Sequence, residues 1–147
     1  MITIRKFKED DVKKVSKLTV DCLEKVNSKD MNNSELNFGK QYYSESGLLS
    51  ISKLFNIFVC EKDGEIIGSI AHNKNKIHNF FVSPEYHKQG IGIQMLEFIE
   101  DIILKDHKEI VLDSSPYAVE FYKKFGYKVT KVSKNEFGTF VEMLKVI

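Results

Sequence analysis

The sequence predicts a mixed α/β fold in which antiparallel hairpins flank one parallel strand–helix–strand unit. Three observations predict it. Two alternating runs, Ile57 to Lys62 and Glu65 to Asn73, are joined by Asp63-Gly64, a pair favoured in two-residue hairpin turns. Strands at Lys76 to Val82 and Glu109 to Asp113 bracket a helix-period segment. That spacing makes them parallel, with a right-handed crossover. Finally, Tyr127 to Lys134 and Thr139 to Val146 read as an antiparallel pair with Asn135 to Gly138 as its turn.

The elements follow in order. Ile2 to Phe7 is a strand. Asp10-Asp11 place acid at a helix start, where the helix dipole favours it. That helix runs to about Val26, with Val12, Val15, Leu18, Cys22 and Val26 on one stripe and Lys13, Lys14, Lys17, Asp21 and Lys25 on the solvated face. Asn27 to Phe55 is less regular. Asn27 to Asp30 and Asn32 to Ser34 read as loop, Ser34-Glu35 opens a helix through Tyr42-Tyr43, and Leu48 to Phe55 supplies a second short helix. After the hairpin and the turn Asn73 to Asn75, the strand to Val82 leads into a loop. A helix then runs from Gly90 to about Lys105, carrying Met95, Leu96, Ile99, Ile102 and Ile103.

The composition bounds the function. With 147 residues the chain is expected to be one domain, 1–147, large enough for a real core. Lys and Arg number 22 against 21 Asp and Glu, which argues against a general nucleic-acid binder. Cys22 and Cys60 lack metal or C-x-x-C spacing and read as buried, reduced thiols. No signal-peptide pattern precedes the first strand, and no apolar run approaches membrane-spanning length. A cytoplasmic protein with no metal and no membrane partner is expected.

The most informative stretch is Phe80-Phe81-Val82-Ser83-Pro84-Glu85-Tyr86-His87-Lys88-Gln89-Gly90-Ile91-Gly92. A strand, a glycine-bearing loop and a helix start place several unpaired backbone N–H groups together, a seat for phosphate. A dinucleotide G-x-G-x-x-G fails, because Met95 holds the third position, and a Walker A loop is absent. The stretch resembles motif A of the GNAT N-acetyltransferase superfamily, whose loop reads [QR]-x-x-G-x-[GA]; His87 stands where Gln or Arg is usual. Downstream, Ser114-Ser115-Pro116-Tyr117-Ala118-Val119-Glu120-Phe121-Tyr122-Lys123-Lys124-Phe125-Gly126-Tyr127 resembles motif B, which ends F-Y-x-x-x-G-[FY]. Pro116 suits a first helical turn, Ser115 an N-cap and Gly126 a left-handed C-cap. Phe121 and Phe125 are expected to face the core.

The resemblance implies a central, mostly antiparallel sheet of about six to seven strands with helices on both faces, in the order β-α-α-β-β-β-α-β-α-β-β. It implies an acetyl-CoA-dependent N-acetyltransferase acting on a small-molecule or peptide amine. In such a fold the donor would be held by Phe81, Val82, His87, Lys88, Gln89, Gly90, Ile91, Gly92, Ser115, Phe121 and Tyr122. The Val82 amide would face the carbonyl oxygen and Tyr122 would protonate the leaving thiolate. The pantetheine arm would lie where the strands Lys76–Val82 and Glu109–Asp113 part, and Asn27 to Phe55 would form part of the acceptor pocket. A relative's base, a Glu before motif B, is replaced by Ile110 beside Glu109. His72, His78, Glu61 and Asp113 remain as candidates, as does an amine that arrives already neutral. The alternatives are a non-catalytic acyl-CoA-binding sensor, a member that uses a longer acyl group, and a partner-binding domain in which both motifs only pack. The C-terminal strand pair offers an edge for a homodimer, which nothing in its sequence compels.

Overall fold

The computed structural model describes residues 1–147. The chain runs β1 (Ile2–Lys6), α1 (Val12–Lys25), α2 (Asn33–Tyr42), α3 (Glu45–Leu54), β2 (Asn56–Lys62), β3 (Glu65–Asn73), β4 (Lys76–Val82), α4 (Ile91–Ile103), β5 (Glu109–Ser114), α5 (Val119–Lys123), β6 (Lys128–Asn135) and β7 (Gly138–Val146). Three helices separate β1 from β2, matching the three helical segments read from the residues and not the two of the order that the resemblance implies. Two caps explain the extra break. Asn32 accepts the Glu35 amide at 2.8 Å while Glu35 accepts the Asn32 amide at 2.8 Å, a reciprocal cap opening α2. Ser44 accepts the Gly47 amide at 3.2 Å and opens α3.

The strands form one seven-stranded sheet in the order β1-β2-β3-β4-β5-β7-β6. Only β4 and β5 are parallel; the other five neighbouring pairs are antiparallel. The Asp63-Gly64 turn takes the left-handed conformation at both residues, with φ of +52° and +80°, as a twist-matched hairpin requires. The sheet divides the core in two. On one face α4 and α5 bury Met95, Leu96, Ile99, Ile103 and Tyr122 against Ile67, Ile70, Ile110 and Leu112. On the other face α1 to α3 bury Val15, Leu23, Tyr43, Leu48 and Ile51 against Ile57, Val59 and Ala71. Phe121 and Phe125 face the core as expected, packed half-buried against it, while Tyr122 between them is buried. Glu100, buried on α4, accepts the Tyr127 hydroxyl at 2.7 Å and pairs with Lys145 at 3.1 Å. No helix is long and apolar enough to cross a membrane.

The first strand is clasped to the first helix by charge. Arg5 donates to both Asp11 oxygens at 2.8 and 2.9 Å and to Glu61, and the Lys8 amide donates to Asp11 at 2.8 Å. The guanidinium holds the Asp11 carboxyl below the usual carboxylate range. Asp11→Ala removes three charge-assisted bonds at a buried site. It is expected to cost about 2–3 kcal/mol, read as a lower urea midpoint at constant slope.

Candidate active site

A cleft of about 790 Å³ opens where β4 and β5 separate. The two strands pair only at Lys76–Val111 and Ile77–Leu112. Beyond Ile77, β4 has lost its neighbour on that side, so its outward backbone groups face the cleft. Ser83 donates its amide to Ile67 at 2.8 Å, and Val82 stands opposite Gly68. Antiparallel pairing alternates, so the Val82 N–H and C=O turn away from β3 toward the gap.

The Val82 carbonyl is held from two directions. His87 Nε2–H donates to it at 2.8 Å and Cys22 Sγ–H at 3.4 Å. Burial pushes the Cys22 thiol up to about 12, so the sulfur stays protonated and donates rather than attacks. Cys22 is thus a fixing group at the centre of the cleft, a place its helical stripe did not reveal.

One end of the cleft is the loop before α4. A 3-10 turn at Pro84–Tyr86 leads into it, and Gly90 caps the helix in the left-handed conformation, φ +80°. The His87 amide is spent on Pro84 at 3.3 Å, which corrects its place in the expected amide set. The next six amides, Lys88 to Ile93, have no acceptor in the chain: the first helical bond here is Gln94 to Gly90 at 3.1 Å. These are the orphan donors of a helix start extended back through a loop. Lys88, itself left-handed at φ +63°, and Lys124 from the end of α5 add positive charge to this end.

The opposite wall is a 3-10 turn at Pro116–Ala118 followed by α5. Ser115 holds the N-cap position but its side chain caps nothing, contrary to expectation. It makes no hydrogen bond because the backbone enters a single tight turn rather than a helix. Its hydroxyl stands free at the cleft, as does that of Tyr122. The Tyr122 ring is wedged among Phe80, Phe121 and Tyr127 at 6.4, 5.3 and 5.7 Å between centroids. Burial drives its phenol well above the ordinary range, so it remains protonated at any working pH.

Residues 16–147 match the family described as an acetyltransferase (GNAT) domain. The chain belongs to the GNAT acetyltransferases. It is 30% identical over 87 residues to S-(2-succino)cysteine N-acetyltransferase of Bacillus subtilis, a match that takes in 48% of this chain and 53% of that protein. The chain spans about half the length of the curated relatives it matches, 41% to 53%. Among solved structures, a GCN5-related N-acetyltransferase of Rhodopseudomonas palustris superposes with TM-score 0.90 at 16% identity, covering 99% of this chain and 95% of that one. PaiA N-acetyltransferase of Thermoplasma acidophilum, solved with coenzyme A, superposes with TM-score 0.83 at 23% identity, covering 100% and 99%.

Against this GNAT frame, the residues expected from sequence fall into place unevenly. Phe81, Val82, His87, Lys88, Gly90, Gly92, Ser115, Phe121 and Tyr122 all line one cleft; the Gln89 and Ile91 side chains do not. Ile91 is buried in the core and Gln89 folds back onto Glu85 at 3.1 Å, leaving each only its amide to offer. The four base candidates disperse. Glu61 is bound to Arg5 outside the cleft, and His72 is tied to Lys74 at 3.2 Å. Asp113 lines the cleft but is ion-paired with Lys76 at 2.9 Å. His78 reaches the cleft, but it is stacked on Phe55 at 4.2 Å, and burial lowers its pKa. Asn79, Tyr43, Asp30 and Phe137, none of them named singly as a site residue from sequence, also line the GNAT cleft, Asp30 and Tyr43 from the region expected to form part of the acceptor pocket. Asn79 had one legible signal, a carboxamide inside the otherwise apolar Asn-Phe-Phe-Val run.

Proposed function

We propose that this GNAT chain moves an acetyl group from acetyl-CoA to a primary amine by direct attack with both substrates bound. The observation that carries the reading is the pairing of six free amides at one end of the cleft with the outward amide of Val82 at its centre. The amides from Lys88 to Ile93, with Lys88 and Lys124, suit the diphosphate of the donor. The open backbone of β4 suits the amide-bearing pantetheine arm, which would pair groups that β5 leaves free. The like-folded PaiA N-acetyltransferase holds coenzyme A in its crystal structure.

The chain's groups then act in sequence. The Val82 N–H receives the carbonyl oxygen as it gains charge. The amine nitrogen forms its bond to the carbonyl carbon, the C–S bond breaks, and Tyr122 gives its proton to the departing sulfur. No side chain here is a free base in position, so the amine loses its proton to water in the cleft or enters already neutral. Polarisation by an amide leaves no step that calls for a metal. The unpaired thiols Cys22 and Cys60 accord with a reducing, cytoplasmic setting, and the balanced charge with a small amine or peptide rather than nucleic acid.

Coenzyme A at about a hundred times its dissociation constant is expected to raise the melting temperature by about 5–10 °C. Acetyl-CoA with a panel of amines, S-(2-succino)cysteine among them, is expected to release free thiol in step with acetylated amine. Stabilisation without turnover by any amine would support the sensor reading instead. Neither effect would leave the two motifs as packing elements.

A further inference from the structure

Acetyl transfer consumes a neutral amine. The nitrogen bonds to the carbonyl carbon, the C–S bond breaks, and the sulfur takes a proton from Tyr122. The surplus proton on nitrogen then returns to the phenoxide, which burial makes a strong base. From a neutral amine the sum closes: amine and thioester become amide and thiol. From an ammonium one further proton must leave before attack, and a base has to take it. An alkylammonium such as a lysine side chain holds that proton up to about pH 10.4, an α-amine beside a carbonyl only to about 7.7–8.0.

No group on the cleft is set to take that proton. Asp113, from β5, is ion-paired with Lys76 at 2.9 Å. His78, from β4, is stacked on Phe55 at 4.2 Å, and burial, with Lys76 adding to it, weakens the ring as a base. His87 belongs to the donor loop and gives its Nε2–H to the Val82 carbonyl at 2.8 Å. Asp30, on the 3-10 turn after α1, is exposed to water rather than enclosed with a substrate. Lys88 and Lys124 add positive charge, which repels an ammonium. The cleft also resists charge of either sign. Burial raises the phenols of Tyr42, Tyr43, Tyr117 and Tyr122 and the Cys22 thiol, and it lowers His78. All six line the cleft, and all are driven to their neutral forms. The same desolvation acts on an ammonium that enters.

Resting on the acetyl-transfer reading above, we infer that the acceptor is a weakly basic primary amine, an α-amine beside a carbonyl, captured from solution in its neutral form. Alkylammonium groups such as lysine side chains and polyamines are then poor acceptors. Amino-acid amides and peptide N-termini share the required chemistry. Selection between amines lies in the fraction that is already neutral, not in a residue that deprotonates them.

Three acceptors on one phenethyl body test this by kcat/KM at saturating acetyl-CoA. They are phenethylamine, phenylalaninamide, and 2,2-difluoro-2-phenylethylamine, whose fluorines weaken the amine without adding a carbonyl. At pH 7.5 the neutral fraction favours the α-amine over an alkylamine by on the order of 300-fold. The weaker base is also the weaker nucleophile, so both weak bases are expected to exceed phenethylamine by at least about tenfold. At pH 9.5, where phenethylamine loses its proton unaided, the excess is expected to fall to about twofold or less. His78→Gln and the exposed change Asp30→Asn are each expected to keep the rise of kcat/KM with pH up to the amine's own pKa. Phenethylamine used as well as the weak bases at pH 7.5 would overturn the inference, as would loss of that rise in either variant, which would mark a base. Should all three probes be silent, lysinamide sets its α-amine against its ε-amine in one molecule: acetylation at Nα upholds the inference and at Nε overturns it. A tripeptide amide opening with Phe, set against phenylalaninamide, tells a peptide N-terminus from a small amide. No thiol release with any amine and no stabilisation by coenzyme A would instead sink the acetyl-transfer reading beneath it.

Discussion

Tyr122→Phe is expected to lower kcat by about tenfold to a hundredfold, with KM for acetyl-CoA changed less than about twofold. The size follows from the leaving group. A thiol of pKa about 8.5 departs tolerably without help, so the gain from a proton donor lies at the lower end of general-acid effects. The specificity follows from the structure. Phenylalanine keeps every ring contact with Phe80, Phe121 and Tyr127, and the lost hydroxyl has no partner in the chain to strand. The melting temperature is therefore expected to hold, and a fall in kcat belongs to the chemistry. Because burial keeps the phenol protonated throughout, its removal should scale the pH–rate profile down without deleting a limb between about pH 6 and 9. An unchanged kcat would take Tyr122 out of the mechanism and leave the sulfur to depart as the bare thiolate.

The parts of the chain that were legible are those whose signals are local. Asp63-Gly64 dictates its own turn, and the apolar period from Met95 to Ile103 dictates a helix buried on one side. Pro116 and Gly126 bracket α5, with Gly126 left-handed at φ +92° as a C-cap demands. The helices between Val26 and Phe55 were half-legible, because an Asn rather than a Ser or Thr opens α2 and its cap depends on Glu35 three residues on. The acceptor side was legible as a region, Asn27 to Phe55, but its individual residues were not, for a different reason. Asn79 becomes a strained, half-satisfied amide only through Tyr43, 36 positions earlier in the chain. Cys22 meets Val82 across 60 positions, and Phe137 reaches Tyr42 from a turn that sequence marks only as a turn. The donor end is built by consecutive residues and so can be read in one pass. The acceptor side is assembled from four separate segments, and no spacing within any one of them announces its residues.

That asymmetry makes the donor end the sharper place for a steric test, and Gly92→Val is expected to weaken coenzyme A binding about a hundredfold, roughly 3 kcal/mol. Gly92 is the second residue of α4, within the run of free amides and on the wall of the cleft. A Cβ built there would lie 3.6 Å from Phe121 Cζ and 3.8 Å from Phe80 Cζ, ordinary contact. The folded chain therefore has room for alanine. It is the branched methyls of valine that must project into the space a phosphate would occupy, holding it away from the backbone donors. The same substitution should not harm the free protein, since glycine is among the poorest helix residues and valine ranks above it. Calorimetric titration with coenzyme A and thermal melts of the apo-protein separate the two effects. A graded series, with alanine intermediate and valine severe, is the mark of steric exclusion at a phosphate seat. Gly92→Val binding coenzyme A with wild-type affinity would mean that the amides from Lys88 to Ile93 face solvent and that the diphosphate is held by other groups.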